Sequence, residues 1–199
     1  MRKLWQLTAS DIVAQTNNKT VSAAEVARSA LERLHQVNPK LNAVVQHDDA
    51  WTLAQAAGVD QRIARGEKLP LAGVPITVKD NIWVQGQTIT QGSLLFKDFV
   101  APDDAWAVAR LKELGAVIVG ITNCSEFACK GISNNLVYGK TRSPWDLERT
   151  PGGSSGGAVS ALASGIGALA LGLIAGTAVV APSWAVPSYP SAAEVAAAK

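Results

Sequence analysis

Two short β-branched runs, residues 74–78 (Val-Pro-Ile-Thr-Val) and 116–121 (Ala-Val-Ile-Val-Gly-Ile), most constrain how this chain can fold. A helical pattern over residues 103–114 lies between them, and Gly115 stands at its natural C′ position. Strand, helix and strand alternating in this way predict a largely parallel sheet with helices on its faces. The N-terminal part continues the alternation. Residues 8–17 form a short helix candidate opened by Thr8 with Asp11 three later. Residues 22–37 form a stronger one, with the capping-box pattern Ser22-Ala23-Ala24-Glu25 and Val26, Ala30, Leu34 and Val37 at helical spacing. Asn38-Pro39 is expected to end it, residues 41–46 to form a strand, and residues 49–65 a helix stopping at Gly66. The fold class is α/β, a mixed and largely parallel sheet flanked by helices.

Composition narrows the function classes. With 199 residues, 48% of them hydrophobic, the chain can bury a core. A net charge of +2 without a basic run gives no electrostatic footprint for nucleic acid. Cys124 and Cys129 sit on one strand-to-helix connection without a second Cys or His pair beside them, so neither a zinc site nor a disulfide framework is expected. No metal or cofactor is expected. His35 and His47 are isolated in sequence and read as surface or internally hydrogen-bonded histidines. Arg2-Lys3 leads into the polar Thr8-Ala9-Ser10-Asp11, which is no secretory signal, so a cytoplasmic location is expected. Charge is absent between Arg149 and Glu194, and residues 166–181 are nearly all apolar. That stretch is slightly shorter than the roughly 20 residues of a spanning helix and contains glycines, so it reads as core, with a membrane anchor as the lesser alternative.

The chemistry concentrates in Pro151-Gly152-Gly153-Ser154-Ser155-Gly156-Gly157, followed by the helical pattern of Ala158, Val159, Ala161, Leu162 and Ala163. A Gly/Ser cluster alone is as good a linker as a site. Feeding a helix N-terminus, it becomes a place where unpaired N–H groups stabilise anions and developing oxyanions. A phosphate loop would need Lys and Ser/Thr after its last glycine, whereas Ala158 and Val159 follow Gly157.

Three segments in order resemble the amidase signature family, serine hydrolases that cleave carboxamides with a Ser–Ser–Lys triad. They are Ala72-Gly73-Val74-Pro75-Ile76-Thr77-Val78-Lys79-Asp80-Asn81, then Gly120-Ile121-Thr122-Asn123-Cys124-Ser125-Glu126-Phe127, then Thr141 through Gly157 with Gly167-Ala168-Leu169-Ala170-Leu171-Gly172. The resemblance implies the α/β/α fold of that family, here incomplete. It makes Lys79 the catalytic base, Ser154 the bridging serine on a cis peptide, and Gly152, Gly153, Ser155 and Gly156 the oxyanion and substrate loop. A lysine serves as a base only where burial keeps it neutral, and the apolar run before Lys79 suits that.

After Gly172 the chain departs from the pattern. The family continues with Thr-Asp-Thr-Gly-Gly-Ser, whose last serine is acylated. Here Leu173-Ile174-Ala175-Gly176-Thr177-Ala178 follows, placing Ala178 at the nucleophile position and Ile174 at the aspartate position. Thr177 lacks the glycine pair that shapes an oxyanion hole. Residues 179–190 read as apolar, Pro-punctuated coil, and the end is Ala-rich. The expected organisation is an N-terminal amidase portion over residues 1–172 and a non-family tail over 173–199, as a frameshift or altered C-terminus would produce. Three readings follow: an amidase-family hydrolase of small carboxamides that is inactive in this form, the glutamine-hydrolysing A subunit of an amidotransferase, and a non-catalytic truncated product. The expected partner is a small amide, with an open sheet edge available for self-association.

Overall fold

The computed structural model describes residues 3–174 and 177–182. Helix α1 (Ala9–Asn17) and helix α2 (Ala23–Leu41) each open with a reciprocal capping box, Thr8 with Asp11 and Ser22 with Glu25. Strand β1 (Val44–Gln46) and helix α3 (Asp49–Ala64) follow, with Asp48 capping α3 through the Trp51 N–H. Then come strand β2 (Pro75–Lys79), helix α4 (Trp106–Glu113) and strand β3 (Val117–Thr122). A small hairpin of β4 (Asn134–Asn135) and β5 (Gly139–Lys140) precedes helix α5 (Gly156–Ala163). Strands β6 (Leu169–Ile174) and β7 (Thr177–Pro182) complete the described chain.

The main sheet has the order β1-β3-β2-β6-β7. Its three central strands are parallel, and an antiparallel strand closes each side. The expected mixed, largely parallel sheet is present. Every residue of β2 and β3 is buried, as a parallel sheet covered on both faces requires. Val117 packs with Ala23 and Ala27 of α2 and Ala56 and Val59 of α3, and Val119 with α2 and Ala161 of α5. Ile76 and Ile118 belong to the cluster that includes Ile12 of α1 and Val108 of α4. Arg33, 2% exposed, stacks on Trp5 and donates from Nε to the Ser164 carbonyl at 2.6 Å, joining α2 to the end of α5.

Five expectations need correction. Helix α2 does not end at Asn38-Pro39 but continues to Leu41, with Asn42 in the left-handed region at φ 50° as its cap. Pro39 removes one backbone donor, yet Val37 and Leu41, both 0% exposed, lie four residues apart on the inner face, so continuing the helix buries Leu41. The strand expected over 41–46 is therefore confined to β1. The helix expected from residue 103 begins at Trp106, because the Asp104 carboxylate accepts from the Gln85 N–H and the Lys112 amine and holds its own segment in the preceding loop. Cys124 and Cys129 flank a single 3-10 turn, Glu126–Ala128, rather than leading into a full helix. Residues 179–182, expected as coil, are part of β7, where Val179 and Val180 pair with Gly172 and Leu171 in an antiparallel ladder. The expected coil beyond, and the Ala-rich end, lie outside the described residues.

Candidate active site

Lys79 ends β2, the middle strand of the sheet, and is 0% exposed. Its neighbours Ile76 and Val78 fill the core, so the strand carries the amine into the interior. Ser154 precedes α5 and is 4% exposed. The Lys79 Nζ and Ser154 Oγ are 2.7 Å apart, across 75 residues of sequence. The Gly153–Ser154 peptide is cis. This is the placement open α/β sheets give their ligand sites, at strand C-termini beside a helix start.

Burial lowers the Lys79 pKa from its ordinary 10.5, with the neighbouring Cys124 acting weakly the other way. The same burial pushes the Cys124 thiol up to about 12, with the Asp80 charge adding to it, so the thiol beside the lysine stays protonated. Depression of a lysine has a thermodynamic sign. Just below pH 10.5 the unfolded chain holds a proton that the folded one has released, so this lysine's contribution to stability grows as pH rises toward 10.5. Wild type should therefore gain on Lys79→Met between pH 7 and about 10, as read from paired urea midpoints that cancel the other titrating groups. A difference that stays flat with pH would mean that Lys79 is not desolvated.

The loop glycines have steric reasons. A Cβ on Gly153 would lie 2.7 Å from the Ile132 backbone, and one on Gly156 2.6 Å from the Ser133 Oγ. Gly152 has open space around it and φ +92°, a conformation glycine adopts freely. The Gly156 N–H donates to the Ser133 Oγ at 2.8 Å, so in this state that amide is engaged within the protein. Ser155 differs from its neighbours. Among the described residues its buried Oγ has no hydrogen-bond partner, and it faces Gly172 on β6, where a Cβ would come within 3.2 Å.

Several residues that support the site carry no motif-level signal of a role. The Ser133 hydroxyl and the Ser125 N–H both reach the Ser154 carbonyl at 3.4 Å. Asn123, at the end of β3, donates through Nδ2 to the Gly139 carbonyl and the Thr141 Oγ1, and its Oδ1 accepts from Asn135 at 2.7 Å. Its backbone carbonyl accepts the Gly157 N–H at 3.2 Å, tying the start of α5 to β3. Asp80 is buried beside Lys79. It accepts from the Thr90 N–H and hydroxyl and the Gly92 N–H, which pins the loop after β2 to the strand end. Burial raises the Asp80 pKa, while these donors pull it back down. Asp80, Asn123, Ser125 and Thr141 fall inside the recognised segments, but Ser133 just before β4 and Asn135 within it lie outside them, and their role exists only once the hairpin folds back.

The nucleophile position lies elsewhere in the geometry. Ala178 is on β7 opposite Leu173, and Thr177 opposite Ile174, so the backbone here forms a hairpin ladder and not a glycine-rich loop. Among the described residues, no helix is long and apolar enough to cross a membrane.

A serine hydroxyl and a buried amine thus lie in contact at the strand ends of an α/β sheet. The amidase family model matches residues 25–183, and this chain belongs to that family. The match runs past Gly172 through β7. The chain is 42% identical over 182 residues to the A subunit of a glutamyl-tRNA(Gln) amidotransferase from Carboxydothermus hydrogenoformans, covering 91% of this chain and 38% of that one. It is 43% identical over 170 residues to an indoleacetamide hydrolase of Bradyrhizobium diazoefficiens, covering 85% of this chain and 32% of the other. Among solved structures, the peptide amidase of Stenotrophomonas maltophilia superposes with a TM-score of 0.78 at 32% identity, over 84% of this chain and 36% of that one. A bacterial aryl acylamidase superposes at 0.79 with 33% identity, over 83% of this chain and 35% of its own. The chain thus spans about a third of the length of these relatives.

Proposed function

We propose that residues 1–172 are the N-terminal part of an amidase domain that hydrolyses the C–N bond of small carboxamides by a Ser–Ser–Lys mechanism, and that the chain as it stands lacks the nucleophile. The observation that carries this reading is the buried 2.7 Å contact between Lys79 and Ser154. Neutral Lys79 takes the Ser154 proton, and Ser154 takes that of the attacking hydroxyl. The attacking oxygen forms the bond to the carbonyl carbon, and the proton returns through the same pair to the leaving nitrogen. Gly152, Gly153, Ser155 and Gly156 form the loop beside the carbonyl, with Gly156 exchanging its Ser133 contact for substrate. Position 178 would supply the attacking hydroxyl but holds alanine in a strand. Residues 177–182 contribute the strand β7 to the sheet, and the sequence after Gly172 lacks the family's glycine–serine segment. A cytoplasmic location fits the two free thiols, Cys124 and Cys129. No cofactor or nucleic acid enters this reading.

The amidotransferase reading is the second. It is favoured by the match to such a protein over nine-tenths of the chain, and it would supply ammonia from glutamine to a partner site. The third reading, a non-catalytic product, describes the same molecule by its activity. The test is pre-steady-state: the chain is mixed with an activated ester and an anilide, and product and covalent adduct are followed together. The expected result is no burst and no adduct on any serine. A stoichiometric burst with an acyl group on this chain would overturn the claim that it lacks a nucleophile.

A further inference from the structure

Away from Lys79 and Ser154, at the β1 side of the sheet, three side chains that the sequence scatters are brought together. His35 projects from the C-terminal half of α2, His47 from the segment after β1, and Asp49 from the first turn of α3. The Asp49 carboxylate bridges the two rings. Its Oδ2 is 2.8 Å from the His35 Nε2 and its Oδ1 is 3.3 Å from the His47 Nδ1. The imidazoles stand nearly edge to face, at 74° with centroids 5.3 Å apart, and one ligating atom from each of the three residues lies within 4.8 Å of the others. The isolated histidines of the sequence are hydrogen-bonded and on the surface, as expected, but they are not isolated from one another.

We propose that His35, His47 and Asp49 form a binding site for a divalent transition-metal ion, with zinc the fitting case. Two imidazole nitrogens and one carboxylate oxygen are a donor set that suits zinc, copper or nickel in preference to the all-oxygen shells of magnesium and calcium. In a tetrahedral site with bonds of about 2.0–2.1 Å, neighbouring ligand atoms are about 3.3 Å apart. Each imidazole nitrogen is 2.8 or 3.3 Å from one of the two Asp49 oxygens, and one ligating atom per residue lies within 4.8 Å of the others, so small side-chain rotations bring the three to that spacing. In the metal-free state, an N–H of each ring points at the one carboxylate, and with a metal bound each neutral imidazole would carry its proton on the other ring nitrogen and offer the ion a lone pair. The side chains are 52%, 32% and 45% exposed for His35, His47 and Asp49, so an ion has a path in and water can fill the fourth position. The start of a helix is its positive end and repels a cation, but Asp48 and Asp49 place two carboxylates there. Loaded, the site would add a clip between α2 and the β1–α3 connection to the packing of Ala27 and Ala56 and to the hydrogen bonds that Asp60 accepts from the Ala23 and Ala24 N–H groups and that Asn38 makes with Val44.

The full chain, carrying no polyhistidine tag and with Cys129→Ser to remove the exposed thiol, is titrated with zinc chloride against a chromophoric chelator. One zinc per chain is expected, with His47→Ala and Asp49→Asn each weakening it at least tenfold and the His35→Ala/His47→Ala pair abolishing it. Cobalt(II) in place of zinc should give the intense visible absorption of a four-coordinate ion, and lose it in the same variants. All three side chains are at the surface, and far-UV circular dichroism identifies any variant that fails to fold. Binding undiminished in the double variant, absence of a one-to-one zinc complex, or a weak six-coordinate cobalt spectrum would each overturn the proposal.

Discussion

Gly157→Ala should destabilise the chain by about 3 kcal/mol or more and leave little folded protein. The added Cβ would collide with the Asn123 N and lie 2.5 Å from the Asn123 O and 2.7 Å from the Ala43 O. All three are backbone atoms of the sheet region, and none can swing aside as a flexible side chain would. Relief would require α5 to withdraw from the end of β3, breaking the Gly157–Asn123 hydrogen bond and carrying Ser154 away from Lys79. Gly58→Ala is the matched control. It lies inside α3 with nothing within 4 Å of the new methyl, so helix propensity alone should act and stabilise by about 0.5–1 kcal/mol. Urea midpoints of the two variants should move in opposite directions. A Gly157→Ala protein as stable as wild type would mean that α5 does not pack on β3 at the distance described.

The second large effect is catalytic. Joining residues 1–172 of this chain to the nucleophile segment and C-terminal part of an active relative should produce an amidase, since the Lys79–Ser154 pair is already assembled. In that hybrid, Lys79→Ala should lower kcat/KM by about a thousandfold or more, because members of a relay act as a unit. Ser154→Ala should fall in the same range, and combining the two should cost little beyond either alone. Ala178→Ser in the present chain should not restore turnover, because position 178 pairs in a ladder with Leu173. If the hybrid hydrolyses amides equally well with alanine at position 79, the role given to this lysine is wrong.

How far the sequence revealed these features depended on whether the signal was local. The capping boxes at Thr8 and Ser22 needed only residues three apart, and both helices start where that pattern placed them. The β-branched runs marked β2 and β3 because a doubly covered parallel strand has to be apolar throughout. The end of α2 was misread because Pro39 is a local stop signal, while the burial of Leu41 that overrides it is tertiary. Lys79 and Ser154 were legible through their motifs, and their contact is a fact of the fold. Ser133 and Asn135 were not legible at all. Nothing distinguishes a serine or asparagine in a loop until the chain returns to place it against Ser154 or Asn123.

The link from Arg33 to the Ser164 carbonyl spans 131 residues. Its consequence concerns the order in which the molecule is made. Helix α2 leaves the ribosome long before the end of α5 exists, so the contact between the guanidinium and the Ser164 carbonyl can form only after Ser164 has arrived. The same delay governs Lys79, which waits for Ser154. A nascent chain halted anywhere before α5 therefore presents a half-covered sheet, and the Lys79–Ser154 contact closes only once α5 has emerged.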